Sequence, residues 1–224
     1  MMSVVEVGGR KYDRIPIRTH VIQSGEDIAE VVDRYTRHTR RPRDIIVVSE
    51  KATAASQGRA IPLSEIRPGF LARFLVRFVT KSPHGIGLGM AETLEMAVRE
   101  CGVPRIVLAA LVAGVSRAVL RRRGDFYRIA GDKARAIDGP CNFVIPPYNR
   151  CVVLGPKNPH AVARAIRART LLEAAIVDIN DLGQDIMGVS SDLVRRMPLR
   201  AILRDNPLGQ SHEQTPIGLI RELP

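Results

Sequence analysis

Hydrophobic positions along the chain change their spacing several times, and each change marks an element. Ile28, Val31, Val32 and Tyr35 recur at helical spacing and form one apolar stripe of a first helix. Ser24-Gly25-Glu26-Asp27 precedes it in the N-cap pattern, with an acid three residues after the serine, and the helix should fade near Arg40-Arg41-Pro42. The β-branched run from Asp44 to Val48 predicts a buried strand. Pro68 to Thr80 reads as a helix with proline in its first turn, and Ala91 to Cys101 as another, stopped by Gly102. Ile106 to Leu120 fits a buried strand, a buried helix, or both in succession. Phe126 to Ala130 and Arg150 to Leu154 read as strands, which makes the middle of the chain strand-rich. Asn158-Pro159 opens a helix running to about Arg169. Ala174, Ala175, Ile176, Val177 and Ile179 predict a further strand, Asn206 to Gly209 a turn, and Ile217 to Arg221 a last strand after Pro216. Strands and helices mix without a strict βαβ rhythm. The expected fold class is therefore α+β, or irregular α/β, and not a doubly wound sheet.

The 224 residues suit one domain or two small interlocked ones. An apolar share of 45% and a charged share of 25% are ordinary for a globular chain and exclude collagen, coiled coil and global disorder. The longest apolar run, Ile106 to Val115, is about half the roughly 20 residues a membrane helix needs, and Arg105 and Arg117 close it. Val4 to Val7 is too short for a signal peptide and runs into Gly8-Gly9-Arg10-Lys11. A soluble, cytoplasmic protein is expected. Cys101, Cys141 and Cys151 form no CxxC pair, which argues against disulfides and zinc.

Net charge changes the picture more. With 34 Lys and Arg against 23 Asp and Glu it is +11, and most of the cations are arginines, suited to planar contacts with phosphate or carboxylate. Anionic partners are expected. Arg121-Arg122-Arg123 and the run Arg37 to Arg43 give a nucleic-acid reading some footing, but four Tyr, five Phe and no Trp are thin for base stacking. A solvated basic face is the plainer account.

Gly85-Ile-Gly87-Leu-Gly89-Met90 lacks the third glycine of a dinucleotide fingerprint and no strand precedes it, so it reads as a loop before a helix. No P-loop motif is present. His20, His38, His84, His160 and His212 show no zinc-hydrolase spacing, and His160, in the first turn of its helix, is expected at the surface. Three acidic stretches remain: Arg135 to Gly139 around Asp138, Val177 to Gly183, and Asp205 to Pro216. Asp178 and Asn180 alternate with Val177 and Ile179 where an apolar strand enters a loop, a common place for sites. Such oxygens suit magnesium or manganese. On spacing alone, an Asx turn ending the strand is the simpler account of the same residues.

Taken in order, several pieces resemble the coenzyme F(420)-0 gamma-glutamyl ligases and their bacterial relatives. They are Ile22 to Ile28, Asp44 to Ser49, Gln57-Gly58-Arg59, Ala136-Ile137-Asp138, Leu154 to Ala161, Ile176 to Gly183, and Glu213 to Pro216. The resemblance implies an α+β fold of two interlocked subdomains of the gamma-glutamyl ligase type and an intertwined homodimer. It implies GTP as co-substrate, Mg2+ or Mn2+, and a monovalent cation. The activity implied joins the amine of L-glutamate to a carboxylate on a deazaflavin precursor. By position, Asp138 matches the metal-binding Asp of the family's "AGxD" segment, and Asn180-Asp181 matches a metal-holding Asp-Thr pair, with Asp178 as a further ligand. Asp138 and Asp181 would be the catalytic acids. Arg18, Thr19, His20 and Val21 match the first nucleotide-contacting loop. Ser49, Glu50 and Lys51 match the nucleotide site at the end of a strand. Gly209, Gln210, Glu213, Gln214 and Thr215 match the C-terminal nucleotide loop. Departures are definite: the family's Lys falls at Ala54 or Ala55, Gln57 stands for its Glu, and Asp-Thr becomes Asn-Asp. They motivate an alternative, a relative that binds a nucleotide or anion without ligase chemistry.

Overall fold

Gly8 and Gly9 both take positive φ, 60° and 76°, the pairing a tight two-residue hairpin turn requires. They open the fold with a hairpin that the apolar pattern did not announce. A computed structural model describes residues 3–79, 87–122, 124–142, 144–180, 183–209 and 212–224. In chain order the elements are β1 Ser3–Val7, β2 Arg10–Ile17, α1 Ile28–Thr36, β3 Ile45–Ser49, α2 Glu50–Ser56, β4 Ala60–Pro62, α3 Phe70–Leu75, α4 Ala91–Cys101, α5 Val103–Val119, α6 Asp125–Ala130 and α7 Asp132–Arg135. Then follow β5 Cys151–Val153, α8 Pro159–Thr170, β6 Glu173–Asn180, β7 Gly183–Val189, α9 Asp192–Arg196, α10 Leu199–Ile202 and β8 Ile217–Glu222. The fold class is α+β.

The chain forms two compact units. One holds the residues up to Arg59 together with Pro156–Pro224, and the other holds Ala60–Gly155. The first is built on a six-stranded sheet in the order β1-β2-β8-β3-β6-β7, in which only β3 and β6 run parallel. Central strands show why β-branched runs were legible. Ile46, Val48, Ala174, Ile176, Ile217 and Leu219 face the apolar stripes of α1 and α8. Ile45, Val47, Ala175, Val177 and Ile220 face the opposite layer, with Val194, Leu199, Ile202 and Leu203. Period-two alternation thus fills both faces of a covered sheet.

The second unit packs its core around Leu94, Ile106, Ala109, Ala130, Ile137 and Val152, with a small β4–β5 ladder. Among the described residues, no single helix is long and apolar enough to cross a membrane.

Several expectations are corrected. Phe126 to Ala130 is helix α6, not a strand, because Gly124 and Gly131 at φ 92° and 87° bracket one short helical segment. Asp125–Ala130 and Asp132–Arg135 are therefore two short helices and the middle is not strand-rich. Of the readings open for Ile106 to Leu120 the helix holds, through Val119, with Ile106, Ala109 and Ser116 buried at helical spacing. Ser24 does not cap α1. Gly25 at φ 90° cannot continue into a helix, and Asp27 caps instead, its carboxylate accepting the Ala29 N–H at 2.9 Å. The Pro68 helix begins at Phe70 and tightens into a 3-10 turn at Val76–Phe78. Thr80 lies outside the described residues, as do Gly85 and Ile86 of the Gly85-to-Met90 segment. Strand β7 was not anticipated. It carries a register slip at Met187, between Ile176 and Val177 on β6.

Two contacts fix this unit. Arg221 on β8 donates to both Asp44 oxygens, at 2.9 and 2.7 Å, and to the Thr39 carbonyl at 3.0 Å. Asp44 raises the pKa of Arg221 by that hydrogen bonding, and the two side chains are 13% and 1% exposed. Replacing Arg221 by Met strands a buried carboxylate, so chemical denaturation should show a loss of about 3 kcal/mol. Gly188 on β7 lies against the start of α8, where an added Cβ would stand 2.3 Å from the Pro159 carbonyl carbon and 2.5 Å from the His160 nitrogen. Neither neighbour can swing away, since both are backbone. Gly188→Ala should lower the denaturation free energy by about 2 kcal/mol through overpacking.

Candidate functional site

The sheet brings five strand ends to one edge of the first unit. Ile17 pairs with Ile217, Val48 with Ile217, Ser49 with Val177, and Asn180 with Gly183. The segments leaving these ends are those matched to nucleotide binding. They are bonded to one another. The Thr19 N–H donates to the Gln214 carbonyl at 3.0 Å, the Arg18 guanidinium to Gln214 Oε1 at 3.1 Å, and the Ser49 N–H to the Pro216 carbonyl at 2.8 Å. Residues far apart in sequence, 18–21, 49 and 214–216, therefore form one connected rim.

The C-terminal loop holds its own shape. Thr215 Oγ1 donates to the Leu208 carbonyl, and the Gly209 N–H donates to the Asn206 carbonyl at 3.0 Å. Gly209 takes φ 70°, and a Cβ there would meet the Glu213 carboxyl carbon at 2.7 Å. Glu213 thus folds under Gly209. Gln210 lies outside the described residues. Asp205 at the base of the loop is committed elsewhere. It accepts from the buried Arg14, which also donates to the Ile202 carbonyl at 3.0 Å. The Arg14 hydrogen bond holds the Asp205 carboxyl below the usual carboxylate range.

His20 sits in the rim with both ring nitrogens engaged. Nε2 meets Glu26 at 2.7 and 3.0 Å, and Nδ1 meets the Tyr35 hydroxyl at 2.9 Å. Glu26 also accepts the Gln23 N–H at 2.6 Å. That backbone bond, followed by His20, lowers the Glu26 pKa. Sequence reasoning did not find Glu26 or Tyr35. Glu26 reads as part of a cap and Tyr35 as part of an apolar stripe, and no local signal shows that both reach one imidazole.

Glu50 and Lys51 are the first residues of α2, so they sit on a helix rather than on a strand. Glu50 is buried, at the helix N-terminus where a carboxylate is favoured. Lys51 lies three and four residues before Ala54 and Ala55, hence on the same helix side. Gln57 has a structural task. Its Nε2 donates to the Lys157 carbonyl at 3.0 Å, and its Oε1 accepts the Lys157 N–H at 2.7 Å. Next to it Gly58, at φ 68°, passes over Ser24, whose Oγ would stand 2.8 Å from an added Cβ.

Of the acids matched to metal binding, Asp178 is half-buried in the first unit, opposite Asp185 on β7. Asp138 is half-buried in the second unit, where it exchanges main-chain bonds with Val153 at 2.8 and 2.9 Å. Asp181 lies outside the described residues. Among those described, no three His, Cys, Asp or Glu side chains gather as an ion site. Arg128 and Arg135 are exposed and pair with Asp125 and Asp132 on their own short helices. Burial pushes the Cys101 and Cys151 thiols up, which disfavours either as a thiolate nucleophile. His160 has more than a surface role, because its Nδ1 accepts the Val189 N–H at 3.0 Å.

The first unit thus carries, at its strand-end edge, the connected rim of residues 18–21, 49 and 214–216. The model of the F420-0:Gamma-glutamyl ligase family matches residues 16–181, most of the chain, and the chain belongs to that family. A search of curated proteins found no match. The matched span contains Arg18 to Val21, Ser49, Asp138 and Asp178 to Asp181, while the loop from Asp205 to Pro216 follows it.

The Gln57 pair makes a direct test of the family departure at that position. Gln57→Glu sets a carboxylate oxygen against the Lys157 carbonyl and removes the donor. Because the pair is exposed, the loss in thermal or chemical denaturation should be about 1 kcal/mol. An unchanged midpoint would show that the side chain contributes nothing there.

Proposed function

We propose that this chain is a GTP- and divalent-metal-dependent ligase that forms a gamma-glutamyl amide between a carboxylate substrate and L-glutamate, the substrate being of the deazaflavin coenzyme F(420)-0 class. The observation that carries the reading is the bonded rim of residues 18–21, 49 and 214–216, joined to family membership. A carboxylate is a poor electrophile. In the reaction its oxygen attacks the γ-phosphorus, GDP leaves, and an acyl phosphate forms. The glutamate amine then attacks the acyl carbon, inorganic phosphate departs, and the ammonium proton is lost. No protein nucleophile is required. This chain's part is to hold the triphosphate on the rim and to align the two acids.

Asp178, Asn180 and Asp181 of the first unit, and separately Asp138 of the second, are the residues matched to metal holding in the family. Carboxylate and amide oxygens of this kind fit Mg2+ or Mn2+. A bound divalent ion would supply charge stabilisation on the phosphates. The net charge of +11 favours acidic substrates. Lys51, on the side of α2 that carries Ala54 and Ala55, supports replacement of the family's lysine by a neighbour. We include a homodimer in the reading. Phe70 and Phe78 are 85 and 66% exposed, and Leu111, Val115 and Val119 along α5 are 63, 63 and 72% exposed, apolar side chains that a second copy would cover.

Asp138→Asn should abolish metal-stimulated GTP turnover in the presence of glutamate and candidate acids, with circular dichroism and denaturation midpoint unchanged. Full turnover by that variant would overturn the metal assignment. Tight GTP binding by calorimetry, with no phosphate release across all acids and amines tried, would favour the non-ligase alternative.

A further inference from the structure

We propose that Glu26 and Tyr35 are positioning residues for the loop Arg18–Val21, acting through His20. This rests on the reading of that loop as a nucleotide-contacting segment. The imidazole is ordered from both sides. Its Nε2 lies 2.7 Å from one Glu26 oxygen and 3.0 Å from the other, and its Nδ1 lies 2.9 Å from the Tyr35 hydroxyl. The hydroxyl also accepts the main-chain N–H of His20 at 3.2 Å. One proton arrangement satisfies every group. Nε2–H donates to the carboxylate, the tyrosine O–H donates to Nδ1, and the His20 N–H donates to the tyrosine oxygen.

The ring therefore has no donor left for a phosphate. Its effect on a nucleotide passes through the main chain it fixes. The neighbouring Thr19 completes the clamp, with its N–H on the Gln214 carbonyl at 3.0 Å and its hydroxyl on the His20 carbonyl at 2.7 Å. Both anchors come from the segment that ends in α1: Tyr35 lies on the helix, and Glu26 is just before the Asp27 cap. The His20 and Glu26 side chains are 35% and 30% exposed. A polar cluster of this kind is half open at the strand-end edge, where an apolar packing residue would be the simpler filler if only core stability were served.

The test uses the full-length protein and GTP with magnesium. Glu26→Ala and Tyr35→Phe should each raise KM for GTP about tenfold with kcat little changed, the scale of one lost charge-assisted hydrogen bond at Glu26 and of two neutral ones at Tyr35. Glu26→Gln keeps an acceptor in the same place and should restore most of the affinity. Amide hydrogen exchange at Thr19 and His20 should quicken in the first two variants and recover in the third. Wild-type-like KM in both Glu26→Ala and Tyr35→Phe, or no rescue by glutamine, overturns the positioning role while leaving the nucleotide site standing. Absence of GTP binding by the wild-type protein overturns the site itself, and the proposal with it.

Discussion

Everything at the strand-end edge depends on one placement: the last strand, β8, lies between β2 and β3. Both of its backbone edges are spent in antiparallel ladders, and its side chains Ile217, Leu219 and Ile220 are buried on the two faces of the sheet. Its start sets where residues 212–216 can be, and so brings Gln214 and Pro216 within hydrogen-bond reach of Thr19 and Ser49. Gly218 makes the fit possible. A Cβ there would meet Leu208 at 2.6 Å and Val47 at 3.0 Å, so the missing side chain is what lets the C-terminal loop tuck Leu208 into the core. Packing and site are thus one feature, because the residue that anchors the loop fills the space that a glycine leaves.

Charge is divided with the same economy. The chain is strongly basic, and two of its well-covered arginines are paired with acids. Arg221 is held by Asp44, and Arg14 by Asp205 and a main-chain carbonyl. Both arginines tie the sheet to a connecting loop, the first to residues 39–44 and the second to residues 202–205. A buried guanidinium left without such partners would be costly. Many of the remaining arginines sit on the surface, in weak pairs with acids three or four residues away, where their field can draw anionic molecules without adding much stability.

The departures from the family pattern have different physical meanings. Gln57, which the resemblance sets against a Glu of the family, both donates and accepts through its amide along one main-chain unit, which a carboxylate could not do. The change is therefore matched by a structural contact within the first unit. Ala54 and Ala55 are buried, so a lysine at either would have to bring its ammonium out of the core. Lys51, one turn earlier, is half-buried and meets no such barrier.

Local chemistry determined much of this protein by itself. The β-branched run before Ser49, the strand from Ala174, the helix from Ala91 to the stop at Gly102 and the Asn158-Pro159 helix start were legible because each rests on neighbours in sequence: a period, a proline, a glycine. The family was legible too, from short motifs kept in order. What the sequence did not determine is which distant pieces meet. The short α6 alternates well enough to pass for a strand, and only the glycines at its ends and its burial against the second unit's core make it a helix. Ser24 looks like a cap until Gly58 lies over it. Glu26 passes for part of a cap and Tyr35 for part of an apolar stripe, and Arg14 carries no motif. Their roles arise because long-range strand pairing sets α1 and the Asp205 loop beside β2, and hydrogen bonds of that kind exist only once the chain has folded.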